Sequence, residues 1–254
     1  MQTNSKITNP NFLVDQNYWD SSYEDLPLQI ISEKDTLRQW IQEYIPPIKE
    51  NLKCFEIGCY PGRYLAVMGE LGFELNGIDL TSHVKTKLPE WLISQKYKVG
   101  TFKQMSVFDI DLSIKYDIVC SFGFIEHFKN WEEVLKIHAS LVSFNGILML
   151  ETPNFSGCIQ KFIHKNLDNE NYCRHYVPSM NPEKWKEILE SFGFEVKEYG
   201  YIGKFEFWTD KKPVSLIKKQ MLWFFNRITP ILRKIKSGSH SLSPYCVLVA
   251  KKIT

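Results

Sequence analysis

The chain has 254 residues, a formal net charge of +2, 44% hydrophobic and 24% charged residues. That length buries a sizeable core without disulfides or metals, and so small a charge gives no electrostatic ground for nucleic-acid binding. The six cysteines form no Cys-x-x-Cys pair and no cluster with histidine at zinc spacing, so no metal is expected and a reducing compartment is.

Residues 1–24 are polar with interspersed aromatics (Phe12, Tyr18, Trp19, Tyr23), an arm laid over the rest. The start carries no apolar signal-peptide stretch, and no apolar run is long enough to span a bilayer. The expected location is the cytoplasm, with peripheral membrane contact left open. Residues 33–45 place Leu37, Trp40, Ile41, Tyr44 and Ile45 at helical spacing, stopped by Pro46-Pro47. An alternation then begins. A buried strand at 52–58 ends in glycine, a helix at 63–71 is capped by Gly72, and a second strand covers 73–79. A charged helix near 89–97 precedes a weaker strand at 101–108, and a clear strand spans 116–122. A helix at 130–142, a strand at 146–151, a helix at 182–192 and strands at 194–199 and 245–251 complete the series. Strands alternating with helices predict an α/β fold with a doubly wound, parallel sheet.

The strongest chemical signal is CFEIGCYPGRYLAVMGE, residues 54–70: a strand ending in Glu56, then Gly58 and Gly62, then a helix. Glycine turns there let a ligand approach the backbone. A carboxylate at the strand end repels phosphate and suits a cationic ammonium. The places of a dinucleotide-binding G-x-G-x-x-G hold Gly58, Tyr60 and Arg63, and the P-loop lysine is missing. Asp79, at the end of the second strand, can accept both hydroxyls of a ribose. Phe108-Asp109, at the end of the third, suit an adenine through ring packing and an amino-group hydrogen bond.

These residues resemble the class I S-adenosylmethionine-dependent methyltransferases of the small-molecule O- and N-methylating type. The family pattern E-x-G-x-G-x-G stands as Glu56-Ile57-Gly58-Cys59-Tyr60-Pro61-Gly62, with Tyr60 at the middle glycine. YDIVCSFGFIEHF (116–128), GILMLETPN (146–154) and RHYVPSMNPEKWKEILESFGFEV (174–196) are similar to further phrases of the family. The resemblance implies a seven-stranded, mostly parallel, Rossmann-like sheet whose last strand is antiparallel, with S-adenosyl-L-methionine as cofactor. It implies that Glu56, Gly58 and Gly62 meet the methionine end, that Asp79 and Leu80 border the ribose, that Phe108 and Asp109 hold the adenine, and that Phe122 and Gly123 line the methionine end. In domain terms, residues 1–48 are an arm and helix covering the site, and 49–254 the binding domain with an insertion at 205–240.

His127 follows Glu126 directly after the fourth strand; it is either a general base beside the acceptor or a histidine fixing its loop. Arg174 and His175 fall where the family's substrate loop lies, and either bind an acidic acceptor, deprotonate a hydroxyl, or solvate a surface. The aromatic arm is read as a lid that excludes water. Residues 211–236 hold Lys211, Lys212, Lys218, Lys219, Arg227, Arg233, Lys234 and Lys236 with no acidic residue, interleaved with Leu216, Trp223, Phe224 and Phe225. Such a helix meets an anionic membrane, a second subunit in a homodimer, or its own core. The expected acceptor is a small molecule, a sugar or glycan-related hydroxyl that is nucleotide- or lipid-linked; quinone-like or lipid acceptors, or a non-catalytic scaffold suggested by Tyr60, are the alternatives. Ser121-Phe122-Gly123-Phe124 stands where a nucleic-acid methylase carries an Asn-Pro-Pro-Tyr-type motif, so no nucleic-acid partner is expected.

Overall fold

In the computed structural model, residues 12–14, 16–48, 50–209, 215–235 and 238–254 are described. Chain order is α1 (Gln16–Tyr23), α2 (Thr36–Tyr44), β1 (Lys53–Ile57), α3 (Arg63–Glu70), β2 (Glu74–Asp79), α4 (Lys87–Ser94) and β3 (Lys98–Gln104). Then follow β4 (Tyr116–Phe122), α5 (Trp131–Leu141), β5 (Val142–Pro153), α6 (Cys158–Leu167), α7 (Asn169–Cys173), α8 (Pro182–Ser191), β6 (Phe194–Ile202), α9 (Leu216–Leu232) and β7 (Tyr245–Lys252). The strands form one seven-stranded sheet in the order β3-β2-β1-β4-β5-β7-β6. β7 lies antiparallel to β5 and β6, and the other pairings are parallel. This is the doubly wound architecture that the sequence predicts.

The central strands carry the apolar runs because both their faces are covered. On one face α2, α3 and α4 bury Leu37, Trp40, Leu65, Met68, Leu88 and Leu92. On the other, α5 and α8 bury Trp131, Val134, Leu135, Trp185 and Leu189. An Arg38–Glu70 ion pair of 2.7 Å ties α2 to α3. The strand order reverses between β1 and β4, which pair directly, and the crevice beyond their carboxyl ends is where open α/β sheets bind ligands.

Several boundaries differ from expectation. β3 runs from Lys98 to Gln104 rather than 101–108, because the Ser106 hydroxyl accepts the Phe108 N–H and turns Val107–Asp109 into a 3-10 turn. β5 starts at Val142, immediately after α5. The sequence reading assigns no element to 155–173, yet α6 and α7 fill most of that stretch. The buried face of α6 includes Gln160 and His164 beside Ile163 and Leu167, so its helical period is not an apolar one. α9 continues past Pro230 to Leu232; the proline is exposed in the last turn. Lys211, Lys212 and Lys236 lie outside the described residues.

Candidate active site

A cavity of about 780 Å³ opens at the carboxyl ends of β1, β2 and β4. Its floor is the β1–α3 loop. Gly58 and Gly62 have φ of +74° and +80°, in the left-handed region that favours glycine. A Cβ at Gly58 would overlap the Phe124 ring, and one at Gly62 would overlap Leu88. Tyr60, at the family's middle glycine, is buried and packs its ring against Tyr23 (5.0 Å) and His83 (5.3 Å). Its backbone N–H, which a glycine would also supply, donates to Asp79 Oδ2 at 3.0 Å, so the turn's contact with Asp79 is kept.

Of the sequence-predicted residues, Glu56, Gly58, Gly62, Asp79, Leu80, Phe122, Gly123 and His127 line this cavity. Glu56 is buried, Oε2 has no hydrogen-bond partner, and burial pushes its carboxyl well above the usual range, with the Asp79 charge adding to the shift. Asp79 Oδ1 accepts the Thr81 N–H at 3.0 Å. Burial raises the Asp79 pKa to about 6, against the lowering effect of its backbone donors. The Gly123 N–H donates to Glu151 O at 3.0 Å, holding the β4 loop against β5.

Phe108 and Asp109 follow directly on the wall residue Val107. The 3-10 turn capped by Ser106 carries Asp109 to the exposed surface, and Phe108 packs on Phe12 and Phe128. Met105, Ser106 and Val107 line the cavity at this point. Arg174 and His175 are not wall residues; they stand behind His127. The His127 and His175 rings are 4.8 Å apart, and the Arg174 guanidinium lies 4.4 Å from the Tyr18 ring centre.

His127 Nδ1 contacts the Arg174 carbonyl at 3.0 Å, and His175 Nδ1 contacts the Asn171 carbonyl at 2.7 Å. A carbonyl only accepts, so both Nδ1 atoms carry hydrogen and, in the neutral rings, each Nε2 keeps its lone pair. Burial lowers the His127 pKa to about 4 and holds His175 well below the ordinary histidine value. Beside them Glu126 is fully buried, its carboxyl oxygens lack hydrogen-bond partners, and burial raises its pKa to about 8. One donor atom from each of Glu126, His127 and His175 lies within 4.8 Å of the others, a set able to pass protons or receive a divalent cation. The trio joins residues distant in sequence, which is why spacing does not reveal it. His138 is a contrasting case: its nitrogens meet Val134 O and Ser121 Oγ, a satisfied core histidine.

The arm covers the opening. Leu13 N–H donates to His127 O at 3.0 Å, and Phe12 bridges to Phe128. Trp19 of α1 sits edge-on to His127 at 5.0 Å and stacks on Tyr23 at 5.6 Å. Phe12, Trp19, Tyr23 and Leu26 form this wall of the cavity.

Comparison with known proteins agrees with this geometry. The family described as a methyltransferase domain matches residues 31–199. A ubiquinone biosynthesis O-methyltransferase of Bordetella avium is 25% identical over 170 residues, 61% of this chain and 68% of the relative. A SAM-dependent methyltransferase from Archaeoglobus fulgidus superposes with a TM-score of 0.56 at 24% identity, over 85% of this chain and 93% of that one. Magnesium protoporphyrin IX methyltransferase of Synechocystis PCC 6803, solved with bound SAH, gives a TM-score of 0.53 at 15% identity, over 85% of this chain and 80% of that one. With two thirds of the sequence inside the family's bounds, and a sheet and crevice of the matching kind, the chain belongs to the methyltransferase-domain family and is a class I S-adenosylmethionine-dependent methyltransferase.

Proposed function

We propose that this enzyme methylates a hydroxyl oxygen of a small molecule, in first place a sugar or glycan-related hydroxyl, with His127 as the proton acceptor. The observation that carries the reading is the tautomer of His127: Nδ1–H is committed to the Arg174 carbonyl, so Nε2 is the basic atom of a cavity-wall side chain.

The residues present fit S-adenosylmethionine. The unpartnered Glu56 Oε2 is an acceptor for an ammonium, and Gly58 and Gly62 leave room for close backbone approach. Each Asp79 oxygen already accepts one backbone N–H and retains a lone pair for a ribose hydroxyl. Ser106 and Val107 would border the adenine. The cofactor supplies a methyl group already activated by its sulfonium. The chain's part is to orient the acceptor, exclude water and take its proton. Orientation contributes several kcal/mol, out of roughly 7–11 at best. The arm keeps water from the acceptor side. His127 Nε2 receives the hydroxyl proton.

The acceptor side mixes ring faces (Trp19, Phe124) with the neutral His127 imidazole, which suits the C–H face and hydroxyls of a sugar. A quinone-like phenolic acceptor is the second reading, favoured by the likeness to the Bordetella relative and by the same ring faces. The test is methyl transfer to panels of nucleotide-linked sugars and of phenols, with His127→Ala in parallel. The expected result is turnover of a sugar, cut by about 10²–10⁴ in the variant while S-adenosylhomocysteine affinity stays within a few-fold. Turnover of phenols alone would replace the acceptor; an unaffected variant would remove His127 from the mechanism.

A further inference from the structure

We propose that α9 docks this enzyme on an anionic membrane surface. The helix has two apolar stripes, and its own fold uses one. Met221, Phe225 and Leu232 pack against Ile163, Leu167, Phe205 and Leu242, which seats α9 on α6. Leu216 and Ile217 (71% exposed each), Trp223 (66%), Phe224 (52%) and Ile231 (65%) project outward. At about 100° per residue these fall within roughly a third of the helix circumference. Phe162 of α6, 52% exposed, extends the patch beside Phe225. Amphipathic helices ordinarily spend their apolar residues on one inward face. A second, outward stripe rich in Trp, Phe and Ile calls for an apolar phase outside the protein.

Charge selects the phase. α9 holds Lys218, Lys219 and Arg227, its C-terminal extension adds Arg233 and Lys234, and α9 contains no carboxylate. Glu206 pairs with Arg233 at 3.6 Å, at the C-terminal end of the patch. Exposed aromatic and aliphatic side chains with the exposed Lys219, Arg227 and Lys234 among and beside them match the boundary between acyl chains and anionic headgroups. No helix among the described residues is long and apolar enough to cross a membrane, so the contact is peripheral. Docking does not depend on which acceptor is methylated.

The experiment is flotation of the full chain with neutral phosphatidylcholine vesicles and with vesicles containing about a third phosphatidylglycerol, in low and high salt. Trp223→Ser/Phe224→Ser and Lys219→Gln/Arg227→Gln are run alongside. Circular dichroism and S-adenosylhomocysteine affinity certify that each variant is folded. Wild type is expected to float at least about tenfold more with the anionic vesicles, and less in high salt. Either double substitution should lower that binding by about tenfold or more while leaving cofactor affinity unchanged. Absence of wild-type flotation, or undiminished flotation of Trp223→Ser/Phe224→Ser, overturns the proposal. So does a lipid-free dimer that the same substitution dissociates, which would assign the stripe to a second copy of the chain.

Discussion

Asp79 holds the loop from below and is placed to hold the ribose from above. Its carboxylate accepts Tyr60 and Thr81 N–H groups, and burial makes the charge costly when no ligand repays it. Asp79→Asn keeps one acceptor oxygen and removes the charge. S-adenosylhomocysteine affinity should fall by about 10–100-fold, the value of one or two charge-assisted hydrogen bonds, while the melting temperature of the ligand-free protein stays level or rises. Calorimetric titration and thermal melts read both; a large loss of melting temperature without loss of affinity would make Asp79 purely structural. Glu56 and Asp79 were legible in the sequence because each ends an apolar run, and in a parallel sheet that address is fixed by the chain itself. Ser106 was not, since a capped 3-10 turn replaces the last residues of the expected third strand and puts Met105–Val107 on the wall ahead of Phe108-Asp109. The Glu126–His127–His175 trio was legible only in parts, because its third member arrives through α7, an element whose existence depends on tertiary packing.

Among the helices, α1 and α9 are held most lightly: neither contains a buried residue. α1 rests on the site through Trp19 and Tyr23. Trp19→Ala should therefore leave urea stability within about 0.5 kcal/mol. It should speed release of S-adenosylhomocysteine several-fold in stopped-flow displacement, because the cover opens without the fold opening. Unchanged release would reduce the arm to a surface decoration. On α9 the two stripes separate in the same way. Phe225→Ala should cost about 1–3 kcal/mol, below the range for a fully buried phenylalanine, whereas Trp223→Ala should cost about 0.5 kcal/mol or less. Equal costs in urea unfolding would mean the stripes are misassigned. The periodicity of 216–232 announces this amphipathic helix plainly, but the sequence carries no mark of which apolar stripe its partner α6 takes, since α6 buries Gln160 and His164 where a regular pattern would show leucines.

At the scale of the molecule, four carboxyls gather at the ligand edge of the sheet: Glu56 near the end of β1, Asp79 at the end of β2, Glu126 after β4 and Glu151 near the end of β5. Burial raises all four, Asp79 to about 6 and Glu126 to about 8. A carboxyl with a raised folded pKa binds more protons folded than unfolded between its two values. Stability from these groups is thus present below the ordinary carboxylate range and is lost as pH rises through about 6 and then about 8. The buried histidines His127, His138 and His164 work in the opposite direction, with folded values lowered to about 4. Their penalty falls between about 4 and the ordinary histidine value near 6.5, and it disappears above that. Below about pH 6.5 the two sets oppose each other; above it only the carboxyls remain. The ligand-free enzyme should therefore melt progressively lower from about pH 6.5 to about pH 8.5, with Glu126→Gln removing part of the slope. A cationic ammonium beside Glu56 lowers the cost of ionisation, so binding should release protons and strengthen as pH rises. Titration of S-adenosylhomocysteine in buffers of different ionisation heat measures the release directly, and thermal shifts measure the growing stabilisation. A melting temperature that is flat or rises over the same interval, with no proton released, would mean that this edge is hydrated enough to keep its carboxylates ionised in the empty enzyme. The ligand would then meet charges already formed rather than complete them.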